Sequence, residues 1–277
     1  MNNRKVGYLL EDGIFRKNNK KGYPVKYVKK ICKFCNKEFD ARFHNIKNGN
    51  GNFCSKSCKT KYFNKKRSEE RKKEAFKNPL QWNKDLAYLV GLIVSDGCLI
   101  KNRPSINFCN NEIELINYVK EIVKNKITHK ENKIGKNKNT YQYRFTSRKF
   151  YYFLKNIGVY PQKSLTIHEL DIPDKYFWHF LRGEIDGDGS FIKNNNFYNL
   201  EIYSGSKLFL KYINKKINTF LFIDKNINKA SGCYKLSYNL EDTVKIVPKL
   251  YNNTKYYLTR KKDRAFYTIN YYYKKGG

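Results

Sequence analysis

The chain contains the same short motif twice, at a constant spacing of 92 residues. The first copy, LVGLIVSDGCLIKN, covers residues 89–102, and the second, LRGEIDGDGSFIKN, covers residues 181–194. Eight equivalent positions are identical, including the Asp-Gly pair that follows an apolar helical segment in each copy. A fixed spacing of this kind indicates a duplicated structural unit. The chain is therefore expected to fold as two similar halves, which bring one carboxylate each, Asp96 and Asp188, to a pseudo-twofold site.

The residues around each motif predict the same order of elements. Apolar residues at helical spacing alternate with short strand-like segments, which predicts helix, two strands, helix, two strands and helix in each half. The third strand of each half is only weakly marked. Two such αββαββα repeats would form an α+β fold with two antiparallel sheets. The predicted boundaries are a cysteine-containing module at 1–65, a basic linker helix at 66–81, repeat 1 at 82–174 and repeat 2 at 175–277.

The predicted helices and strands can be given by residue. In repeat 1 the helices are 84–95, 112–126 and 148–157, and the strands are 98–102, 105–109 and 140–146. In repeat 2 the helices are 175–187, 207–220 and 242–251, and the strands are 190–193, 200–203 and 233–238.

The charge of the chain restricts its partners. It has 57 Lys and Arg against 24 Asp and Glu, a net charge of +33. Basic side chains bind polyanions by releasing condensed counterions, so nucleic acid is the expected partner. The 24 Tyr and 19 Phe exclude a disordered basic tail, because such tails lack aromatic residues. A general nucleic-acid-coating protein would explain the charge, but it would leave the duplicated motif unexplained.

Membrane and secreted classes do not fit the sequence. The longest apolar run, residues 86–94, is nine residues long, whereas a spanning helix needs about 20. The first residues show no signal-peptide pattern, so we expect an intracellular protein; cytoplasm, organelle and nucleus are not distinguished. The seven cysteines then point to free thiols or metal ligands.

Four of these cysteines have the spacing of a metal site. They occur as CKFC and CSKSC, at Cys32, Cys35, Cys54 and Cys58. Four thiolates in two close pairs favour a tetrahedral structural Zn²⁺ site, and the metal would supply the folding free energy of a polar segment. The module resembles small zinc-binding modules beside phage and mobile-element nucleases, in which a basic helix follows, here 56–66.

His44-Asn45 invites comparison with HNH nucleases, but a second catalytic histidine at suitable spacing is missing. Cys98, Cys109 and Cys233 lie on predicted strands and are expected to be small core residues.

The chemistry of the duplicated motif suggests a cation site. Gly91 and Gly183 lack side chains, so the two motif helices can pack closely and bring Asp96 and Asp188 together. A carboxylate at a helix C-terminus is unfavourable. A second carboxylate nearby adds repulsion of about 1–4 kcal/mol. A divalent cation would make the arrangement favourable.

The duplicated motif, with the segments FLRGEIDGDGSF, KNIGVYPQKS and KLYNNTKYYLTRKK, resembles the LAGLIDADG homing endonucleases, in particular their single-chain, two-motif members. The resemblance covers about residues 82–277. It implies a monomer whose two repeats form a DNA-binding saddle. It also implies double-strand breaks at a long asymmetric site in double-stranded DNA, with the protein's own intron RNA as a further candidate partner.

The resemblance also implies roles for individual residues. Asp96 and Asp188 would hold Mg²⁺ or another divalent cation for phosphodiester hydrolysis, whereas Asp186 is expected to be structural. Repeat 1 departs from the motif at Val94 and Ser95, which replace the family's first Asp and its Ala. That Asp is not the metal-binding acid. Aligning the repeats pairs Arg144 with Lys235, and these two are candidates for stabilising the scissile phosphate. The family often places an amide near the end of the second strand of each repeat. The residues near that position here, Cys109 and Tyr203, are not amides.

Base and backbone contacts are expected from the predicted strands. The candidates are Lys101, Arg103, Asn107, Lys193, Asn195, Glu201 and Tyr203. An alternative function stays open at this point: an RNA maturase or a DNA-binding regulator with the same fold that no longer cuts.

Overall fold

The computed structural model of the chain describes residues 9–10, 13–18, 21–77, 79–137 and 140–276. The chain divides into two compact units, Met1–Glu74 and Ala75–Gly277. Among the described residues, no helix combines the length and the apolar character that crossing a membrane requires.

The first unit contains an antiparallel sheet that the sequence did not predict. Its strands are β1 (Leu9–Leu10), β2 (Ile14–Asn18), β3 (Pro24–Ile31) and β4 (Glu38–Arg42), paired in that order. Helices α1 (Phe43–Lys47) and α2 (Lys56–Lys77) follow. Among the described side chains of this unit, the buried apolar residues are Phe15, Cys32 and Ala41. So small a core leaves too little apolar alternation for a strand prediction.

The second unit contains both predicted repeats. Repeat 1 consists of α3 (Lys84–Ser95), β5 (Gly97–Leu99), β6 (Ser105–Asn110), α4 (Ile113–Lys126), β7 (Lys130–Asn137), β8 (Thr140–Thr146) and α5 (Arg148–Asn156). Repeat 2 consists of α6 (Phe177–Gly187), β9 (Ser190–Asn194), β10 (Phe197–Ser204), α7 (Lys207–Leu221), β11 (Asn228–Ala230), β12 (Cys233–Tyr238) and α8 (Leu240–Tyr251). The predicted αββαββα order is confirmed in both repeats.

The two sheets have the same topology. Their strand orders are β5-β6-β8-β7 and β9-β10-β12-β11, and every pair is antiparallel. Equivalent strands also keep equivalent registers, since Cys98 pairs with Asn107 in repeat 1 and Ser190 pairs with Glu201 in repeat 2. The duplication in the sequence is therefore a duplication of the fold.

Local sequence explains where the helices begin. The side chains of Asn83, Ser147 and Ser206 accept hydrogen bonds from the free backbone N–H groups of α3, α5 and α7. Helix α8 begins with a capping box between Asn239 and Asp242. Nine consecutive residues of α3, from Leu86 to Val94, are buried. This helix therefore lies inside the unit, surrounded by protein on all sides.

One helix of repeat 2 was missed. Helix α9 (Thr259–Lys274) packs on β10 and α8, and the hydroxyl of Thr268 bonds both backbone groups of Tyr198. Its sequence, TRKKDRAFYTINYYYK, contains few aliphatic residues at helical spacing, so periodicity does not reveal it.

Candidate active site and metal cluster

Helices α3 and α6 touch through their backbones at the two motif glycines. A Cβ atom on Gly91 would lie 2.1 Å from the carbonyl oxygen of Phe180, and one on Gly183 would lie 2.2 Å from that of Tyr88. Both distances are far below van der Waals contact, so only glycine permits this approach. The predicted interface glycines thus lie where the two repeats meet.

The two motif acids complete the ends of these helices. The backbone N–H of Asp96 donates to Leu92 in the last turn of α3, and that of Asp188 donates to Glu184 in the last turn of α6. The helix ends are in contact, because a Cβ on Gly187 would lie 2.8 Å from a carboxylate oxygen of Asp96. Close packing therefore brings the two acids to one place, as the sequence predicted from the glycines.

The surroundings of the acids oppose their negative charge. Asp188 keeps contact with solvent, yet the crowding of protein around it and the nearby charge of Asp96 raise its pKa to about 6. Burial also raises the pKa of Asp96, while a hydrogen bond from Asn110 and the charges of Lys261 and Lys163 act in the opposite direction. Two acids with raised pKa values at one site are typical of a cation-binding or catalytic centre.

Two buried lysines lie beside the acids, and the sequence analysis did not single them out. The ammonium of Lys163 donates to the carbonyl of Gly97 at 2.7 Å and lies 3.4 Å from that of Ser95. That of Lys261 donates to the carbonyls of Ile185 and Asp186 at 2.7 and 2.8 Å. Each lysine thus holds a positive charge at the negative end of one motif helix.

Burial lowers the pKa of both lysines, to about 8 for Lys261. Only 6% of Lys163 and 3% of Lys261 are exposed. The negative charge of Asp96 is stabilised more by Lys261 than by Lys163, whereas that of Asp188 is stabilised more by Lys163 than by Lys261. Each acid therefore interacts most strongly with the lysine of the other repeat.

The two centres are lined by both repeats. One cavity has Asp188, Glu184 and Ser204 from repeat 2 and Ser95 and Lys163 from repeat 1. A second cavity is lined by Asp96, Asn110, Asp186, Gly187 and Arg260. Neither centre can form from one repeat alone, which explains why the motif occurs twice.

The amide expected near the end of the second strand is present one residue later than expected. Asn110, the last residue of β6, donates from Nδ2 to a carboxylate oxygen of Asp96 at 2.8 Å. Its neighbour Cys109, which the sequence analysis considered instead, points to the other face of the sheet. In repeat 2 the equivalent residue is Ser204, directly after Tyr203.

Asp186 links three segments of the chain through hydrogen bonds. One of its carboxylate oxygens accepts hydrogen bonds from the hydroxyl of Tyr88 at 2.8 Å and from the backbone N–H of Leu258 at 2.9 Å. It thereby joins α6 to α3 and to the segment before α9.

The pairing of Arg144 with Lys235 is wrong. Tyr203 pairs with Lys235 across β10 and β12, whereas the equivalent Cys109 pairs with Gln142 across β6 and β8. Lys235 is therefore equivalent to Gln142. Strands β6 and β10 are offset by 94 residues and β8 and β12 by 93, whereas the pairing of Arg144 with Lys235 requires an offset of 91.

The surroundings of this basic pair also differ from expectation. The ammonium of Lys235 donates to Glu201 at 2.7 Å, and Arg144 is exposed on the outer face of β8. The basic groups that bond the ends of the motif helices are Lys163 and Lys261.

The candidate DNA-contact residues divide between three locations. Asn107, Glu201 and Tyr203 lie on the sheet face that points away from the core, because buried residues alternate with them along β6 and β10. Lys101, Arg103 and Asn195 lie in the turns after β5 and β9. Lys193 lies on the same face of β9 as the buried Phe191, but its own side chain is exposed.

The prediction that three cysteines are core residues is wrong. Cys98 is exposed, and Cys109 and Cys233 are half-buried. All three lie on the outer faces of their sheets, where alternation with the buried neighbours Leu99, Phe108 and Leu236 places them.

The four N-terminal cysteines form a compact cluster. All four sulfur atoms lie within 4.8 Å of one another, and the closest pairs are Cys35–Cys54 at 3.6 Å and Cys54–Cys58 at 3.5 Å. Tetrahedral Zn–S bonds of about 2.3 Å place the sulfurs about 3.8 Å apart. The cluster therefore fits a structural zinc ion.

The backbone around Cys32 also suits a bound cation. Burial raises the pKa of its thiol, but backbone N–H groups of Cys35, Cys54 and Phe34 outweigh burial and lower the pKa to about 6. A thiolate is the form that binds metal. His44 is not part of the cluster, and its ring interacts with Asn48.

Two αββαββα repeats joined through paired glycines, with an acid at the end of each joined helix, define a class of pseudo-symmetric two-motif proteins. The first repeat matches the family described as a LAGLIDADG-like domain over residues 83–158, and the second matches the WhiA LAGLIDADG-like domain over residues 177–263. The chain therefore carries two LAGLIDADG-like domains, one in each repeat. A comparison with curated proteins finds no match.

The chain is similar to several solved structures. I-DmoI in complex with DNA and Mn is 20% identical, with a TM-score of 0.46, over 62% of this chain and 98% of that one. The N-terminal LAGLIDADG domain of DUF199/WhiA is 20% identical, with a TM-score of 0.45, over 68% and 91%. Full-length DUF199/WhiA from Thermotoga maritima is 18% identical, with a TM-score of 0.49, over 75% and 72%.

Proposed function

We propose that the protein is a site-specific DNA endonuclease that makes double-strand breaks by metal-dependent hydrolysis at a long, asymmetric target. The observation that carries this proposal is the meeting of Asp96 and Asp188 at the joined ends of α3 and α6, beside two buried lysines. Two equivalent acids provide one centre for each DNA strand. Because both are on one chain, the protein would act as a monomer.

The acids fit a hard divalent cation such as Mg²⁺. Their ligand atoms are carboxylate oxygens, and crowding together with mutual repulsion raises their pKa values, so a cation would relieve an unfavourable arrangement. A cation bound there would lower the pKa of a water molecule and neutralise charge on the leaving 3′ oxygen.

The protein side chains would orient and stabilise this chemistry. Asn110 fixes one oxygen of Asp96 through its amide, which leaves the other oxygen free for the cation. Lys163 and Lys261 would place positive charge beside the scissile phosphates, where negative charge increases in the transition state. Their bonds to the ends of the motif helices hold both ammonium groups in position before DNA arrives.

The outer sheet faces support an asymmetric target. Equivalent positions of the two sheets carry different side chains. Asn107 in repeat 1 corresponds to Glu201 in repeat 2, and Arg144 corresponds to Ser237. Side chains on a strand face can reach base edges in the major groove, and unlike side chains select unlike bases. Two half-sites of different sequence are therefore expected, with Lys101, Arg103, Lys193 and Asn195 supplying contacts from the turns and the strand edge.

The cysteine module would add affinity. Residues 1–74 contain 22 Lys and Arg against seven Asp and Glu. Every described side chain of α2 from Asn64 onward is exposed. Such a surface favours phosphate contacts that do not depend on base sequence.

The alternative is a protein that binds nucleic acid without cutting it, either an RNA maturase acting on its own intron or a DNA-binding regulator. The match of repeat 2 to the WhiA LAGLIDADG-like domain favours it. The retention of both acids and both lysines favours cleavage.

A cleavage selection distinguishes the two functions. The zinc-loaded protein would be incubated with a randomised or native-locus DNA library and Mg²⁺, beside an Asp96→Asn/Asp188→Asn double mutant. Cutting at one long site by the wild type alone is the expected result. Binding without cutting by both proteins would contradict the endonuclease proposal and favour the alternative.

A further inference from the structure

A third carboxyl group lies at the Asp188 centre, at a position where repeat 1 has an apolar residue. Glu184 occupies the position on α6 that Leu92 occupies on α3. Only 1% of Glu184 is exposed, and its Oε2 atom has no hydrogen-bond partner among the described residues. A buried polar atom without a partner costs free energy. Leucine would suit the packing at this position, as Leu92 does in repeat 1. Stability therefore does not explain why a carboxyl group is buried here, and another reason is needed.

The position of Glu184 indicates that reason. It precedes Asp188 by four residues, so both side chains lie on one face of α6, with Cβ atoms about 5–6 Å apart. Both line the same cavity of about 70 Å³, with Ser95, Lys163 and Ser204. Burial and the charge of Asp188 raise the pKa of Glu184 well above its usual range. A cation in the cavity would give the orphaned oxygen a partner.

The ammonium of Lys163, which lines the same cavity, is held by the carbonyl of Gly97. The cavity exceeds the volume that one water molecule needs.

We propose that Glu184 is an additional carboxylate ligand of the divalent cation held by Asp188. Its carboxylate therefore tightens cation binding at the Asp188 centre, because affinity for hard cations rises with the number of carboxylates. This inference rests on the proposed function for the identity of the metal centres.

Binding of Mn²⁺ to the zinc-loaded full chain without DNA tests the proposal, with free Mn²⁺ measured by electron paramagnetic resonance. The wild type should bind two Mn²⁺ ions. Glu184→Gln should weaken one site by about tenfold or more, Asp188→Asn should remove that same site, and Asp96→Asn should remove the other. Glu241→Gln changes an exposed acid on α8 by the same charge and should leave both affinities unchanged.

A second variant separates a metal ligand from a structural residue. Glu184→Leu should weaken Mn²⁺ binding as Glu184→Gln does, while its melting temperature without metal stays equal to that of the wild type or rises. If both Glu184 variants cut DNA and bind Mn²⁺ with unchanged affinities, Glu184 is not a ligand. That result would leave the proposed function unaffected. A wild type that neither binds Mn²⁺ nor cuts would overturn the proposed function together with this inference.

Discussion

Gly91 and Gly183 lie so close to the opposite helix that neither position can accept a methyl group. The nearest atoms to an added Cβ are backbone carbonyl oxygens, at 2.1 and 2.2 Å, which cannot move aside as a flexible side chain can. The helices must separate if either glycine gains a side chain. Because Asp96 and Asp188 follow directly on these helices, the distance between the two centres depends on the same contact.

Gly91→Ala should therefore destabilise the protein by about 3 kcal/mol or more, at the upper end of what overpacking costs. Urea unfolding followed by circular dichroism would measure the change. Gly135→Ala is the matched control, because the nearest atom to its added Cβ is the end of the Gln142 side chain at 3.8 Å. Equal stability of the two variants would show that the helices do not pack through their backbones.

Replacing either acid should stop double-strand cleavage and preserve DNA binding. Asp96→Asn and Asp188→Asn keep the shape of the side chain but remove the charge that holds a cation. Gel-shift and plasmid-cleavage assays on the same preparations would separate binding from chemistry. Substantial double-strand cleavage by both single variants would eliminate the two-acid mechanism.

Loss of a buried lysine should slow cleavage more than it weakens binding. Lys261→Met should reduce the single-turnover cleavage rate by about 100-fold or more, the usual effect of removing a group that stabilises transition-state charge. Lys163→Met should act mainly on the strand cut at the Asp188 centre. Lys216, which pairs with Asp174 away from the motif helices, provides the control Lys216→Met. A control as slow as the two variants would indicate a general effect of charge.

Stability without metal should depend on pH through Asp188. Because its pKa is about 6 in the folded protein and near 3.8 when unfolded, the folded state holds more protons between these values. Stability should fall as pH rises from about 4 to about 6 and then level off. Asp188→Asn should be more stable than the wild type at pH 7.5, and the difference should shrink at pH 5. Calorimetry in a chelator would check this, and a constant difference at both pH values would refute it.

The cysteine cluster should determine the folding of the first unit. Cys35→Ser should lose about one zinc per chain by elemental analysis, and the unit should become sensitive to protease, since the metal supplies its folding free energy. Cys98→Ser, an exposed thiol outside the cluster, should keep the zinc. DNA affinity should fall more than the rate of bound-state cleavage. Unchanged zinc content in Cys35→Ser would remove the metal from this unit.

Much of the second unit could be predicted from the sequence because its signals are local. Apolar spacing predicted α3, α4 and α7 closely, since a helix that packs on one side repeats its apolar residues every three to four positions. The repeated motif likewise predicted the meeting of Asp96 with Asp188.

Other parts of the fold gave no such signal. The sheet of the first unit has a core too small to impose alternation, and α9 packs mainly through aromatic and polar residues. Their formation depends on contacts with distant segments, which residue periodicity does not record.

The amino-acid sequence by itself determined the duplication, the paired acids, the paired glycines and the four-cysteine pattern, because each is a matter of residue type at fixed spacing. Only the tertiary structure decided that Lys163 and Lys261 join the acids, that Asn110 holds Asp96, and that Glu184 lies beside Asp188 without a partner. Among 57 basic residues, spacing cannot show which are buried beside the acids. Packing between the repeats determines which side chains are buried and which of them are neighbours. It places beside each acid a lysine from the other repeat.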